Sequence, residues 1–132
     1  MDIYREIILD HYKHPRNFGR LPHASATANA YNTTCGDKII MEIAVTDKKE
    51  IKDIRFSGTG CAISQAAASM LTEKVKGMKQ TNVMKLTAKD ILDMLGTTLT
   101  PSRMKCATLP LEVLQKAVNQ TKKKVVNKKA IA

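Results

Sequence analysis

The apolar pattern of this chain changes period at Gly58-Thr59-Gly60, and that change dictates most of what it can fold into. Before it, Ile39, Met41, Ile43 and Val45 alternate with Ile40, Glu42 and Ala44, the period of two that a strand requires. Asp47-Lys48-Lys49-Glu50 makes a polar turn into residues 51–57, where Ile54 and Phe56 share one face and Asp53 and Arg55 the other, so a hairpin is expected. After it, Ile63, Ala66, Ala67, Met70 and Leu71 recur at helical spacing until Gly77 supplies a stop, which predicts a buried helix. Locally paired strands followed by helices specify an α+β domain.

The same reading extends to the rest of the chain. Ile3, Tyr4, Ile7, Ile8, His11 and Tyr12 predict an amphipathic helix over 2–13, ended by the turn formers of His14-Pro15-Arg16-Asn17-Phe18-Gly19. Residues 26–34 carry a weaker strand signal. Thr87-Ala88-Lys89-Asp90 has the form of a capping box ahead of Ile91, Leu92, Met94 and Leu95, with Gly96 placed as the C-cap. Leu111, Leu114, Ala117 and Val118 form the stripe of a last helix whose first turn accepts Pro110.

A chain of 132 residues suffices for one domain with one core and is too short for two. Its formal charge of +10 is uneven: Lys122, Lys123, Lys124, Lys128 and Lys129 carry five of those charges and leave +5 on the rest. We therefore expect one domain over residues 1–121 and a basic tail over 122–132 that repels itself and frays. Two Phe, three Tyr and no Trp leave little surface on which bases stack, which argues against nucleic-acid binding. Residues 1–6 place charges where a secretory leader needs an apolar run, and no stretch reaches membrane-spanning length. A cytoplasmic protein with no membrane partner is the expectation.

Three cysteines are an odd number for a disulfide framework and point to thiolate or metal chemistry. Cys35-Gly36-Asp37 sets a soft thiolate and a hard carboxylate two residues apart, on the same side of an extended segment. Cys61 opens the buried helix, where unpaired N–H groups and the positive helix end favour an anionic sulfur. No Gly-Lys-Ser/Thr follows Gly58-Thr59-Gly60, so a phosphate-binding loop is a poor reading. Cys106 is flanked by Arg103 and Lys105, cations that favour the thiolate and attract an anionic cargo. Taken singly, each cysteine reads equally well as inert packing. Local zinc patterns are excluded, because 26 residues separate Cys35 from Cys61 and 45 separate Cys61 from Cys106, so only folding can bring the sulfurs together. His11, His14 and His23 lie far from any cysteine, and the methionines fit apolar stripes; neither group enters the site.

The segments Cys35-Gly36-Asp37, Gly58-Thr59-Gly60-Cys61-Ala62-Ile63-Ser64-Gln65-Ala66 and Lys105-Cys106-Ala107 together resemble the ligand segments of the IscU/SufU/NifU-N iron–sulfur scaffold family. Asp10-His11-Tyr12-Lys13-His14-Pro15-Arg16-Asn17 resembles that family's opening helix and turn. The resemblance implies a three-stranded antiparallel sheet with helices packed on one side. It implies Cys35, Asp37, Cys61 and Cys106 as ligands of a transient [2Fe–2S] cluster or of Zn2+ in the same site, with Cys106 and Cys35 as candidate persulfide acceptors. The implied partners are a cysteine desulfurase that supplies sulfur and apo iron–sulfur acceptor proteins that take the cluster. The implied role is a non-enzymatic assembly scaffold, with a zinc-dependent sulfurtransferase of the SufU kind as the alternative.

Two departures from the pattern stand out. IscU members carry histidine immediately before the third cysteine, where this chain has Lys105, as SufU members do; the segment between Cys61 and Cys106 is shorter than SufU members carry, so the chain is a hybrid. The Leu-Pro-Pro-Val-Lys stretch that IscU members present to a dedicated Hsp70 chaperone reads Leu99-Thr100-Pro101-Ser102-Arg103 here, which argues against that partner.

Overall fold

The computed structural model describes residues 3–33 and 36–131, the last ten of these as backbone only. Helix α1 (Ile3–Lys13) leads through a loop into strands β1 (Ala26–Asn32), β2 (Asp37–Val45) and β3 (Ile51–Thr59). Helices α2 (Ala62–Val75), α3 (Gln80–Met84), α4 (Ala88–Leu95) and α5 (Pro101–Ile131) follow. The strands form one antiparallel sheet in the order β1-β2-β3. Ile43 sits between Ala26 and Ile54, and Met41 between Ala28 and Phe56, so one face carries a continuous apolar layer. The opposite face carries Thr27, Asn29, Lys38 and Lys52, all exposed.

The buried face of the sheet receives α2 over β3 and α5 over β1 and β2. Ile39, Met41, Ile43, Ile54 and Phe56 are fully buried against Ala66, Ala67, Leu71 and Val75 of α2 and Val113, Leu114, Ala117 and Val118 of α5. Each large side chain in this layer contributes on the order of 1.5–3 kcal/mol. The alanines of α2 let its backbone lie close to the sheet.

One expectation needs correction. The last helix begins at Pro101, nine residues before Pro110, and Pro110 lies inside it. A proline there has no N–H for the carbonyl four residues back and costs about 3 kcal/mol. Burial of Cys106, Ala107, Leu109, Leu111, Val113 and Leu114 on both sides of it holds the helix together. The helical backbone of α5 runs to Ile131. The short α3 has no counterpart in the sequence reading. The hairpin, the buried helix and the capping box are observed as expected: Thr87 Oγ1 accepts from the Asp90 N–H at 3.4 Å, and Asp90 Oδ2 accepts from the Thr87 N–H at 2.8 Å.

Beside the buried Ile8, polar groups of α1 and of the turn after it tie this end of the chain to α2. Ser69 Oγ accepts the Arg16 N–H at 2.9 Å and hydrogen bonds His11 Nδ1 at 2.7 Å. Asn17 Nδ2 donates to Thr72 Oγ1 at 3.1 Å, while the Asn17 carbonyl accepts the Phe56 N–H at 2.9 Å. Burial holds His11 below its ordinary value of 6.5, and the nearby Arg16 acts in the same direction; the Glu73 carboxylate opposes them but stands 3.8 Å from Nε2.

Two outcomes are expected. The native state keeps His11 neutral, while the unfolded chain protonates it near 6.5, so the unfolded state binds more protons and stability falls as pH drops below about 6.5. Urea unfolding across that range should show the loss, and His11→Gln should flatten it. Gly96 has φ 69°, and a Cβ there would run into the ring of Tyr4, which covers this C-cap from α1. Gly96→Ala should cost about 2 kcal/mol, part backbone strain and part crowding, and adding Tyr4→Ala should recover the crowding part in a thermal melt.

Candidate metal centre

Helix α2 starts where β3 ends, and β2 starts beside that point, because Lys38 pairs with Thr59 in the ladder. Asp37, the first residue of β2, is thereby set against the N-terminus of α2. Cys61 is the N-cap of that helix, in extended conformation, and its own side chain caps nothing. The cap comes from another strand: the Cys61 N–H donates to Asp37 Oδ1 at 3.1 Å. An anion in this position meets the positive end of the helix as well as an orphan amide. Cys106 arrives from the third side, in the first turns of α5.

The ligand atoms of Asp37, Cys61 and Cys106 all lie within 4.8 Å of one another. A tetrahedral zinc with sulfur and carboxylate ligands has edges of roughly 3.5–3.8 Å, so a small inward adjustment closes the set on one ion. Cys61 Sγ is 3.7 Å from Asp37 Oδ2, and Cys106 Sγ is 3.7 Å from the Ser102 carbonyl. With Oδ1 held by the Cys61 amide, Oδ2 is the oxygen available to an ion. Asp37 and Cys106 are buried and Cys61 is half-buried, so the site opens on the Cys61 side.

Of the four residues expected at the site, Asp37, Cys61 and Cys106 are brought together, and Cys35 lies outside the described residues. His14 and His23 are exposed, and His11 is engaged at the α1–α2 contact. Two residues escaped the sequence reading. Gly60 is so tightly enclosed that a Cβ would collide with Ser64 Oγ and come within 3.3 Å of Asp37 Oδ1. Ser64 is fully buried, and its hydroxyl donates to the Cys61 carbonyl at 3.1 Å, bracing the first turn from inside. The signal for Ser64 was its position three residues after the N-cap, a spacing that lets a hydroxyl reach back to the cap carbonyl.

The chain is similar to several known proteins. The iron-sulfur cluster assembly scaffold protein IscU of Aquifex aeolicus is 40% identical over 116 residues, covering 87% of this chain and 73% of that protein. The zinc-dependent sulfurtransferase SufU of Bacillus subtilis is 35% identical over 133 residues, covering 88% of this chain and 89% of that protein. The crystal structure of the N-terminal part of a nitrogen-fixing NifU-like protein from Brucella abortus superposes with a TM-score of 0.77 over 92% of this chain and 96% of that one. At 18% identity it speaks for the fold alone. The NifU-like N-terminal domain family matches residues 3–128, and the chain belongs to that family.

Proposed function

We propose that this protein is an iron–sulfur cluster assembly scaffold, which receives sulfur from a cysteine desulfurase, holds a [2Fe–2S] cluster as cargo and passes it to apo-proteins. The observation that carries this reading is the meeting of one carboxylate and two sulfurs, from β2, α2 and α5, within 4.8 Å. Cys35, two residues before Asp37 in the chain, supplies the fourth ligand. A hard oxygen among soft sulfurs leaves one corner held less firmly, which suits a cargo that must leave. The desulfurase docks on α1, where Ile3, Tyr4, Ile7, Leu9 and Tyr12 are exposed together, and on the exposed Arg103 and Lys105. A chaperone that takes up an extended peptide finds none at residues 101–103, since Pro101 begins α5 and these residues form its first turn.

The likeness to the sulfurtransferase supports a second reading, in which the same residues hold zinc and relay a persulfide. Lys105, which replaces the histidine of IscU members, supports it as well. Zinc held there supplies Lewis acidity and thiolate stabilisation. Anaerobic reconstitution with iron and sulfide separates the two: a stable visible chromophore belongs to the scaffold, and retained zinc without a chromophore belongs to the relay.

Four outcomes test this reading. Cys35→Ser, Cys61→Ser and Cys106→Ser should each prevent stable cluster assembly. Asp37→Ala should keep a cluster on three sulfurs, with optical decay slowed several-fold and transfer to an apo-ferredoxin reduced; faster loss than wild type would remove Asp37 from the release step. Gly60→Ala should push Ser64 and Asp37 apart from Cys61 and weaken zinc roughly tenfold in chelator competition. Removal of zinc by a chelator should lower the melting temperature, because binding at a hundred times Kd adds about 2.7 kcal/mol to the folded state.

A further inference from the structure

The two edges of the sheet are finished differently. Along β3, the outward backbone groups of three residues are taken up. The Ile51 N–H donates to the Met78 carbonyl at 2.9 Å, and its carbonyl accepts the Gly77 N–H at 2.8 Å. The Ile54 N–H donates to Asp53 Oδ1 at 2.8 Å, and its carbonyl accepts from the Arg55 guanidinium at 3.0 Å. The Phe56 N–H donates to the Asn17 carbonyl at 2.9 Å, and its carbonyl accepts the Gly19 N–H at 2.8 Å.

Among the described residues, strand β1 shows no such cover. Lys116 Nζ donates to the Asn29 carbonyl at 2.9 Å, which fixes the direction of the strand's backbone groups. In an antiparallel strand a residue's N–H and C=O point to one side and successive residues alternate. Thr27, Asn29 and Tyr31 therefore turn theirs to the open edge, while Ala26, Ala28 and Ala30 bond β2. Among the described residues, the Lys116 contact is the only hydrogen bond made to those outward groups. Protein edges are ordinarily blunted by charge, proline, bulges or a covering segment. Ala26-Thr27-Ala28-Asn29-Ala30-Tyr31-Asn32 contains no charge and no proline, and its pairing with β2 runs without a register shift.

We propose that the open edge of β1 accepts an extended segment of an acidic partner protein as a fourth strand. Thr27, Asn29 and Tyr31 supply the main-chain bonds, and a carboxylate on the helix-facing side of the added strand, opposite Ala28 or Ala30, reaches Lys116 Nζ. Charge selects the occupant. A second copy paired antiparallel about Asn29 would bring two Lys116 ammonium groups together, on a chain already at +10. An acidic segment answers the same ammonium, and the alanines of β1 leave its helix-facing side chains room.

The test uses the full chain and a short capped peptide of alternating threonine and valine with one central glutamate, beside its lysine counterpart. Amide exchange followed by NMR should show the glutamate peptide protecting Thr27, Asn29 and Tyr31 selectively. Lys116→Glu, at an exposed position, should reverse the preference between the peptides, by about fivefold in affinity each way. Protection absent from β1, or equal affinity for the two peptides with wild type and Lys116→Glu, would overturn the proposal. So would sedimentation of the chain alone as a dimer with the same amides protected, since that outcome assigns the edge to a second copy.

Discussion

A helix buried on all sides is the constraint from which the rest of this structure follows. Residues 64–69 of α2 are six consecutive buried positions, so no face of that helix is left to water over nearly two turns. The sheet lies on one side of it, α1 on another and α5 on a third. Such a helix can be approached closely only if its side chains are small, and Ser64, Ala66, Ala67, Ala68 and Ser69 are. Once α2 is clamped in three directions, its N-terminus has one place to be, beside the first residue of β2. The position of Cys61 is thus set by packing that involves no metal.

Close packing of a serine-bearing helix raises a second demand, since each buried polar group left without a partner costs about 1–3 kcal/mol. The chain meets it by turning those groups into connections. Ser69 holds both His11 and the Arg16 amide, Thr72 holds Asn17, and Ser64 holds the Cys61 carbonyl. Among the described residues no buried side-chain nitrogen or oxygen is left without a partner. The most expensive of these groups is the Asp37 carboxylate. It is tolerated in the interior because the helix end beside it offers an amide and a favourable dipole. The features that suit this pocket to an ion therefore also make it stable with the carboxylate facing the two sulfurs.

The sequence announces some of this and conceals the rest for identifiable reasons. β2 and β3 were legible because a strand with one wet face must alternate, and α4 because a capping box and a left-handed Gly96 are local chemistry. β1 was faint because its inward residues are alanines, whose apolar signal is weak beside Thr27, Asn29 and Tyr31. α3 has five residues, too few to show a period. Pro110 misled because an isolated proline reads as a helix start, and only the burial of Leu109, Leu111, Val113 and Leu114 explains why the helix runs through it. Spacings of 26 and 45 residues carry no distance, so the gathering of Asp37, Cys61 and Cys106 was legible only through resemblance. Gly60 shows its importance only in three dimensions, where Ser64 and Asp37 fill the space of its missing Cβ.

Burial separates the two sulfurs that the described residues bring together. Cys106 is fully buried, whereas Cys61 is half-buried at a helix end. Among the described ligands the sulfur at the start of α2 is therefore more open to solvent than the one on α5. At the N-terminal end of α5 residues 101–105 are all exposed, while Cys106, Ala107, Leu109, Leu111, Val113 and Leu114 are anchored in the core. Pro101 and Pro110 bracket the segment, and Pro110 has no amide to close an intrahelical bond onto the Cys106 carbonyl. The hydrogen-bond ladder of α5 thus lacks the Pro110 amide one turn after the residue that brings a sulfur to the site.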